Sequence, residues 1–149
     1  MNENFGSITG NILAVLTAED GSIKQELEFK NLVVTSGKRL VASRLIGTAD
    51  NSISNLAIGS GTSSPAITDG GLQTELARVA IGSATSSGAV VTYTASFGPG
   101  VGTGNINECG LFNSPTVGAS NSMLARSNSL ILTKGASDTL ALTWTVTFN

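Results

Sequence analysis

The clearest pattern in the chain lies near its end, where Leu140, Leu142, Trp144, Val146 and Phe148 alternate with Thr139, Ala141, Thr143, Thr145 and Thr147. A period of two places the first set on one face of a strand and the second on the other. The large apolar set is the candidate core face. The threonine face is satisfied equally by solvent or by a neighbouring subunit.

Earlier runs repeat the theme. Ile8 to Leu16 puts Ile8, Ile12, Ala14 and Leu16 together, and Glu19-Asp20-Gly21 is a turn signal. Ile23, Leu27 and Phe29 then oppose Lys24, Glu26, Glu28 and Lys30, so the two runs predict an opening hairpin with one wet face. Further strands are expected in Ile53 to Ile58, in Leu72 to Ile81 (from Leu76 onward), and in Ala89 to Phe97. In the last of these, Val91, Tyr93, Ala95 and Phe97 oppose Thr92, Thr94 and Ser96. Ile106 to Phe112 reads as a short buried strand, and Met123 to Arg126 and Ser129 to Leu132 as short strands. Gly59 to Pro65 reads as an irregular loop, Gly82 to Gly88 as a flexible turn and Gly98 to Gly104 as a glycine-rich loop.

A single helix is predicted over about residues 36–46, with Thr35 or Ser36 capping its start, Gly47 its end, and Val41 and Leu45 one turn apart. A helix this short is marginal alone and must pack on a sheet. Seven to nine short strands, Gly/Ser turns and one helix describe a mainly β protein, a β-sandwich or jelly-roll-like domain. No repeat of fixed period occurs, and residues 1–149 are read as one domain with a flexible N-terminal arm over residues 1–6.

Composition changes this picture in one respect. Charged residues make up only 12% of the 149 residues while hydrophobic ones reach 40%, against about a quarter charged in ordinary soluble domains. The exterior must therefore be built from Ser, Thr, Asn and Gly, which are easier to desolvate against a partner than charges are. Net charge is −2, and the eight Lys and Arg residues are scattered. Nucleic-acid binding would need a basic stripe and is not expected. No apolar run approaches membrane-spanning length, and Met1-Asn2-Glu3-Asn4 is acidic and polar where a secretory leader would be basic. A protein made in a cytoplasm and soluble until assembled is expected.

Catalytic chemistry finds few footholds. The absence of histidine removes the commonest general base, the Ser-His-Asp and Cys-His arrangements and His-ligated metals together. The ten acids mostly fall in turns or alternate outward, and the lone Cys109 sits in an apolar stretch as a buried small hydrophobe. Ser36-Gly37-Lys38-Arg39 lacks the upstream glycine and following hydroxyl of a phosphate loop, and Gly98 to Gly104 leads into no helix. No catalytic residue, cofactor or metal is assigned. One polar constellation stands out: Glu108 lies inside the apolar run Ile106 to Phe112 and must be paired. Arg78 is its expected partner, with Arg126 as the second choice, and the pair is expected to fix strand register.

The order of segments resembles a known family. Asn31-Leu32-Val33-Val34-Thr35-Ser36-Gly37 leads into the helix, followed by Ile53-Ser54-Asn55-Leu56-Ala57-Ile58-Gly59-Ser60-Gly61 and Asp69-Gly70-Gly71-Leu72-Gln73-Thr74-Glu75-Leu76-Ala77-Arg78. Ile106-Asn107-Glu108-Cys109-Gly110-Leu111-Phe112 and Met123-Leu124-Ala125-Arg126 complete the set. This succession resembles bacteriophage virion structural proteins, including N-terminal domains of tail-collar and tail-fibre proteins and small head or tail components. Unlike long fibre proteins, the chain carries no repeat shaft or receptor-binding tip after the Trp144 strand. The resemblance therefore implies a capsid decoration (cement) protein. It would be a symmetric oligomer, often a trimer, that packs against itself and the major capsid protein in the virion after assembly in the host bacterial cytoplasm. The alternatives are a tail, collar or baseplate attachment protein and, further off, a carbohydrate- or receptor-binding module.

Overall fold

The computed structural model describes residues 6–48 and 50–149. Of the N-terminal arm expected over residues 1–6, only Gly6 falls inside that range.

Two five-stranded antiparallel sheets face each other across the apolar core. Sheet A contains β1 (Ile8–Thr17), β2 (Ile23–Lys30), β6 (Ser83–Ser87), β7 (Val90–Phe97) and β12 (Thr139–Phe148), in the order β2-β1-β12-β7-β6. Sheet B contains β3 (Leu32–Val33), β4 (Asn55–Gly59), β5 (Glu75–Ala80), β9 (Glu108–Phe112) and β10 (Met123–Ser127), in the order β3-β10-β9-β4-β5. A small ribbon pairs β8 (Gly104–Ile106) with β11 (Leu132–Lys134). The chain is mainly β and consistent with a β-sandwich-like domain.

Sheet A is built as its alternation demands. Its central pair, β1 and β12, runs in unbroken register from Ile8 opposite Phe148 to Thr17 opposite Thr139. Ile12, Ala14, Leu16, Leu140, Leu142, Trp144 and Val146 all point inward and are buried. Fully burying one of the larger aliphatic side chains among them contributes about 1.5–3 kcal/mol. Phe148 departs from the expected core face, being 39% exposed. It lies at the strand end, where the helix lines a cleft against sheet A. Ile23 departs too, at 62% exposed. A register shift between Leu16 and Thr17 pairs Ile23 with Thr17 and puts Gln25 opposite Leu16.

The three central strands of sheet B show no alternation, because both of their faces are covered. All residues of β4, β9 and β10 are buried. Leu56, Ile58, Cys109 and Leu111 meet sheet A. On the other face Ala57, Phe112, Met123 and Val34 form a second cluster with Leu72.

The helix α1 (Thr35–Leu45) matches the expectation within a residue at each end. Neither Thr35 nor Ser36 caps it. Val34 occupies the N-cap position without a side-chain bond, and the Ser36 hydroxyl instead donates to the Met123 carbonyl at 2.7 Å. The C-terminal end closes as expected. Gly47, at φ 69°, lets its own N–H reach Arg44 O and the Thr48 N–H reach Ser43 O, the paired bonds that glycine at this position permits. A Cβ on Gly37 would meet the Leu124 carbonyl, so Gly37 is the contact point of helix and strand β10, a packing role rather than a phosphate loop. Leu45 does not complete the expected apolar turn and is 82% exposed.

Several boundaries move. The run Ile106 to Phe112, expected as one strand, is divided at Asn107, with Ile106 ending β8 and Glu108 opening β9, and the strand expected from Ile53 begins at Asn55. Ser83–Ser87, expected as a flexible turn, forms strand β6. The strand expected over Ser129 to Leu132 begins only at Leu132, because Leu130 is buried in the core as part of an irregular segment.

Candidate functional site

Glu108 is completely buried, and its carboxylate accepts five hydrogen bonds. Oε1 takes the Gly61 and Thr74 backbone N–H groups at 3.0 and 2.7 Å. Oε2 takes the Gln73 N–H at 2.9 Å and both Nε and Nη2 of Arg126, at 3.1 and 2.9 Å. Arg126 in turn donates to Asp69 Oδ2 at 3.0 Å and to the Ser63 carbonyl at 3.0 Å. Asp69 receives the Ala66 N–H, and the Gln73 side chain receives the Ser63 N–H.

The expected partner was therefore wrong. Glu108 pairs with Arg126, and Arg78 pairs with Glu75 through two bonds of 2.7 and 2.9 Å. Register explains the choice. Arg126 lies opposite Gly110 on the adjacent strand, one diagonal step from Glu108, whereas Arg78 lies opposite Ala57, with β4 between β5 and β9. Arg78 stacks 3.8 Å above the Phe112 ring and donates to the Ser114 and Thr116 carbonyls. Each arginine thus fastens a loop to sheet B: Arg126 holds residues 61–74 and Arg78 holds residues 114–116.

What this constellation does is hold rather than react. Both carboxylate oxygens of Glu108 are engaged and inaccessible, the arrangement that makes a buried charge tolerable. Glycines make room for it, since a Cβ on Gly59 or Gly61 would run into Glu108 Oε1. Burial also pushes the Cys109 thiol well above its ordinary pKa, with the adjacent Glu108 charge adding to the effect. A thiol held protonated is a poor nucleophile.

Two accessible features lie on sheet A. Between α1 and the inner face of β7 and β12 is an apolar cleft of roughly 350 Å³, walled by Leu40, Leu45, Ile53, Tyr93, Val146 and Phe148. Burial raises the Tyr93 phenol above its ordinary pKa. Next to β7 stands β6, whose five residues are all exposed. No charged residue occurs between Arg78 and Glu108, so the whole β6–β7 hairpin is neutral. The outer face of the sheet there is a hydroxyl lattice in which Thr85, Thr92 and Thr145 share one row and Ser83, Thr94 and Thr143 another. Ser83 and Thr94 share a hydrogen bond of 2.7 Å. At the opposite edge, β2 carries Lys24, Glu26, Glu28 and Lys30 at alternate positions.

The hairpin edge escaped sequence reading. Ser-Ala-Thr-Ser-Ser between glycines has no apolar period, and its one signal was the long run without charge. No protein-family model matches the chain, and no curated protein or solved structure matches it either.

Proposed function

We propose that this protein is a structural component of a bacteriophage virion, a decoration or cement protein that binds the assembled head and stabilises it by packing between subunits. Its partners are further copies of itself and the major capsid protein. The observation that carries this reading is the neutral, hydroxyl-covered β6–β7 hairpin, which leaves a strand edge open on a chain with few charges elsewhere. Covering such a surface strips no charge of water. An open edge is a template for strand addition, and natural chains seldom leave one unguarded without a use for it.

The ordered segments from Asn31 to Arg126 support the same reading through their resemblance to phage structural proteins. In the fold those segments supply sheet B with its stapled loops, behind the more open sheet A.

The test is to purify particles with and without the protein and locate it on them by cryo-electron microscopy. Regular density on the outside of the head, with lower resistance to heat and low salt when the protein is missing, is the expected result. Density at the neck, collar or baseplate would assign it to the tail instead. Absence from every particle, or binding to a glycan surface with measurable affinity, would reject the virion role.

A further inference from the structure

We infer that β6 is an assembly edge that pairs antiparallel with β6 of a second copy, joining the A sheets of two molecules about a two-fold axis at Thr85. The inference names the partner of the docking edge described above and rests on that reading.

The strand is incomplete within one chain. Each residue of Ser83–Ser87 is exposed, so both faces of β6 lack a core contact, and its one ladder runs to β7. A strand held by a single ladder and no apolar burial is marginal in water. A second ladder on its open side supplies what is missing.

The composition of the edge selects the partner. Pairing about Thr85 sets Thr85 opposite Thr85, Ala84 opposite Ser86 and Ser83 opposite Ser87. All of these pairs are small and neutral, and Thr–Thr and Thr–Ser neighbours on one face are favourable cross-strand pairs. An edge without charge gives a charged partner nothing to recognise. The other long edge of the same sheet is unsuited, because β2 bears charge at every second position, a recognised guard against strand addition. Of the two edges of sheet A, β6 is the neutral one, so within this sheet the match for β6 is β6 itself, and a self-complementary contact of this kind closes as a two-fold dimer.

The magnitude is modest. Five edge residues bury less than the ~1,000 Å² that a lasting interface needs. Association in free solution is therefore weak and concentration-dependent, and copies held side by side on a scaffold are driven together by their high local concentration.

Cysteine placed on the axis tests this directly. Opposed residues of an antiparallel pair have Cα atoms about 4.5–5.5 Å apart, inside the ~4.4–6.8 Å range of a disulfide. Cys109 is fully buried and gives a silent background. Under mild oxidation of the full chain, Thr85→Cys is expected to form a covalent dimer roughly tenfold faster than Glu26→Cys on the opposite edge. Thr85→Lys is expected to abolish the concentration-dependent association seen by sedimentation while leaving the thermal midpoint in place.

Equal cross-linking at both edges, no cross-linking at Thr85, or association of Thr85→Lys unchanged from the parent would overturn the pairing. The two readings fail separately. Protein found on particles without a Thr85 cross-link rejects the β6 dimer alone. A ready cross-link in a protein absent from every particle rejects the virion role alone.

Discussion

Sheet A and sheet B have the same number of strands, yet they keep charge in opposite places. In sheet B it is inside: Glu108, Arg126, Glu75 and Arg78 are held under loops with their hydrogen bonds filled. In sheet A it is pushed to one margin, along β2, and the other four strands carry no charge. The difference teaches a division of labour. Buried charge in sheet B specifies where irregular loops must lie, because a carboxylate with five donors accepts few alternative arrangements. Sheet A takes its stability from apolar burial and keeps a surface that can be covered without stripping charges of water.

The largest break in this comparison is expected from Arg126→Ala. It leaves Glu108 buried with its countercharge gone and should cost about 3–5 kcal/mol in denaturant unfolding. A loss below about 1 kcal/mol would mean that the loop over residues 61–74 is held by other means. Glu108→Gln keeps the shape and some of the hydrogen bonds, so its expected cost is smaller, about 1–3 kcal/mol by the same measurement.

Sheet A's own ion pair should respond to pH. Asp138 accepts from Lys24 at 2.7 Å and from the Gly135 N–H at 2.7 Å. The Lys24 bond first, then the Gly135 N–H, hold its carboxyl below the ordinary carboxylate pKa, against the opposing effect of burial. A group whose folded pKa is depressed stabilises the fold above its unfolded value, about 3.9, and loses that contribution as pH falls through the folded value. Asp138→Asn should therefore be less stable than the parent by a constant amount at neutral pH, and the gap should close below about pH 4. A gap that persists in acid would remove the ion pair as its cause. The smallest effect is expected from Thr85→Lys, within about 0.5 kcal/mol of the parent. A large loss there would show that β6 carries weight inside the single chain.

Where a strand separates core from solvent, the sequence announces it. β12 was legible residue by residue because its large apolar residues alternate with threonines and Ala141, and β1 was legible from Ile12, Ala14 and Leu16 although Leu13 and Val15 face outward. Helix α1 was legible from Gly47 at its end, but the Val41–Leu45 spacing did not mark its buried face, where Gly37 and Leu40 lie while Leu45 is exposed. Its start was not legible either, because the hydroxyls of Thr35 and Ser36 were equally suited to cap it or to reach β10. The candidate ion pair was half legible. That Glu108 needed a partner followed from its apolar surroundings, but the choice between arginines depended on strand order. Arg78, Ala57, Gly110 and Arg126 form one row across sheet B, and no local pattern says which end of that row Glu108 will meet. Asp69, Gln73 and Ser63 went unnoticed as members of the cluster because they sit in a loop whose shape is set by contacts remote in sequence. β6 failed for the opposite reason: with neither face buried, selection for a core left no period in it.

The register of β1 against β12 also governs how the molecule bears load. Ile8 faces Phe148, and Asn149 donates to the Ser7 carbonyl, so both ends of this central pair leave from one corner. Tension between them opens the ladder as a zipper, one rung at a time, instead of shearing all rungs together. A domain wired this way is mechanically soft when this strand pair is pulled from that corner, so force is better passed sideways through its flanks.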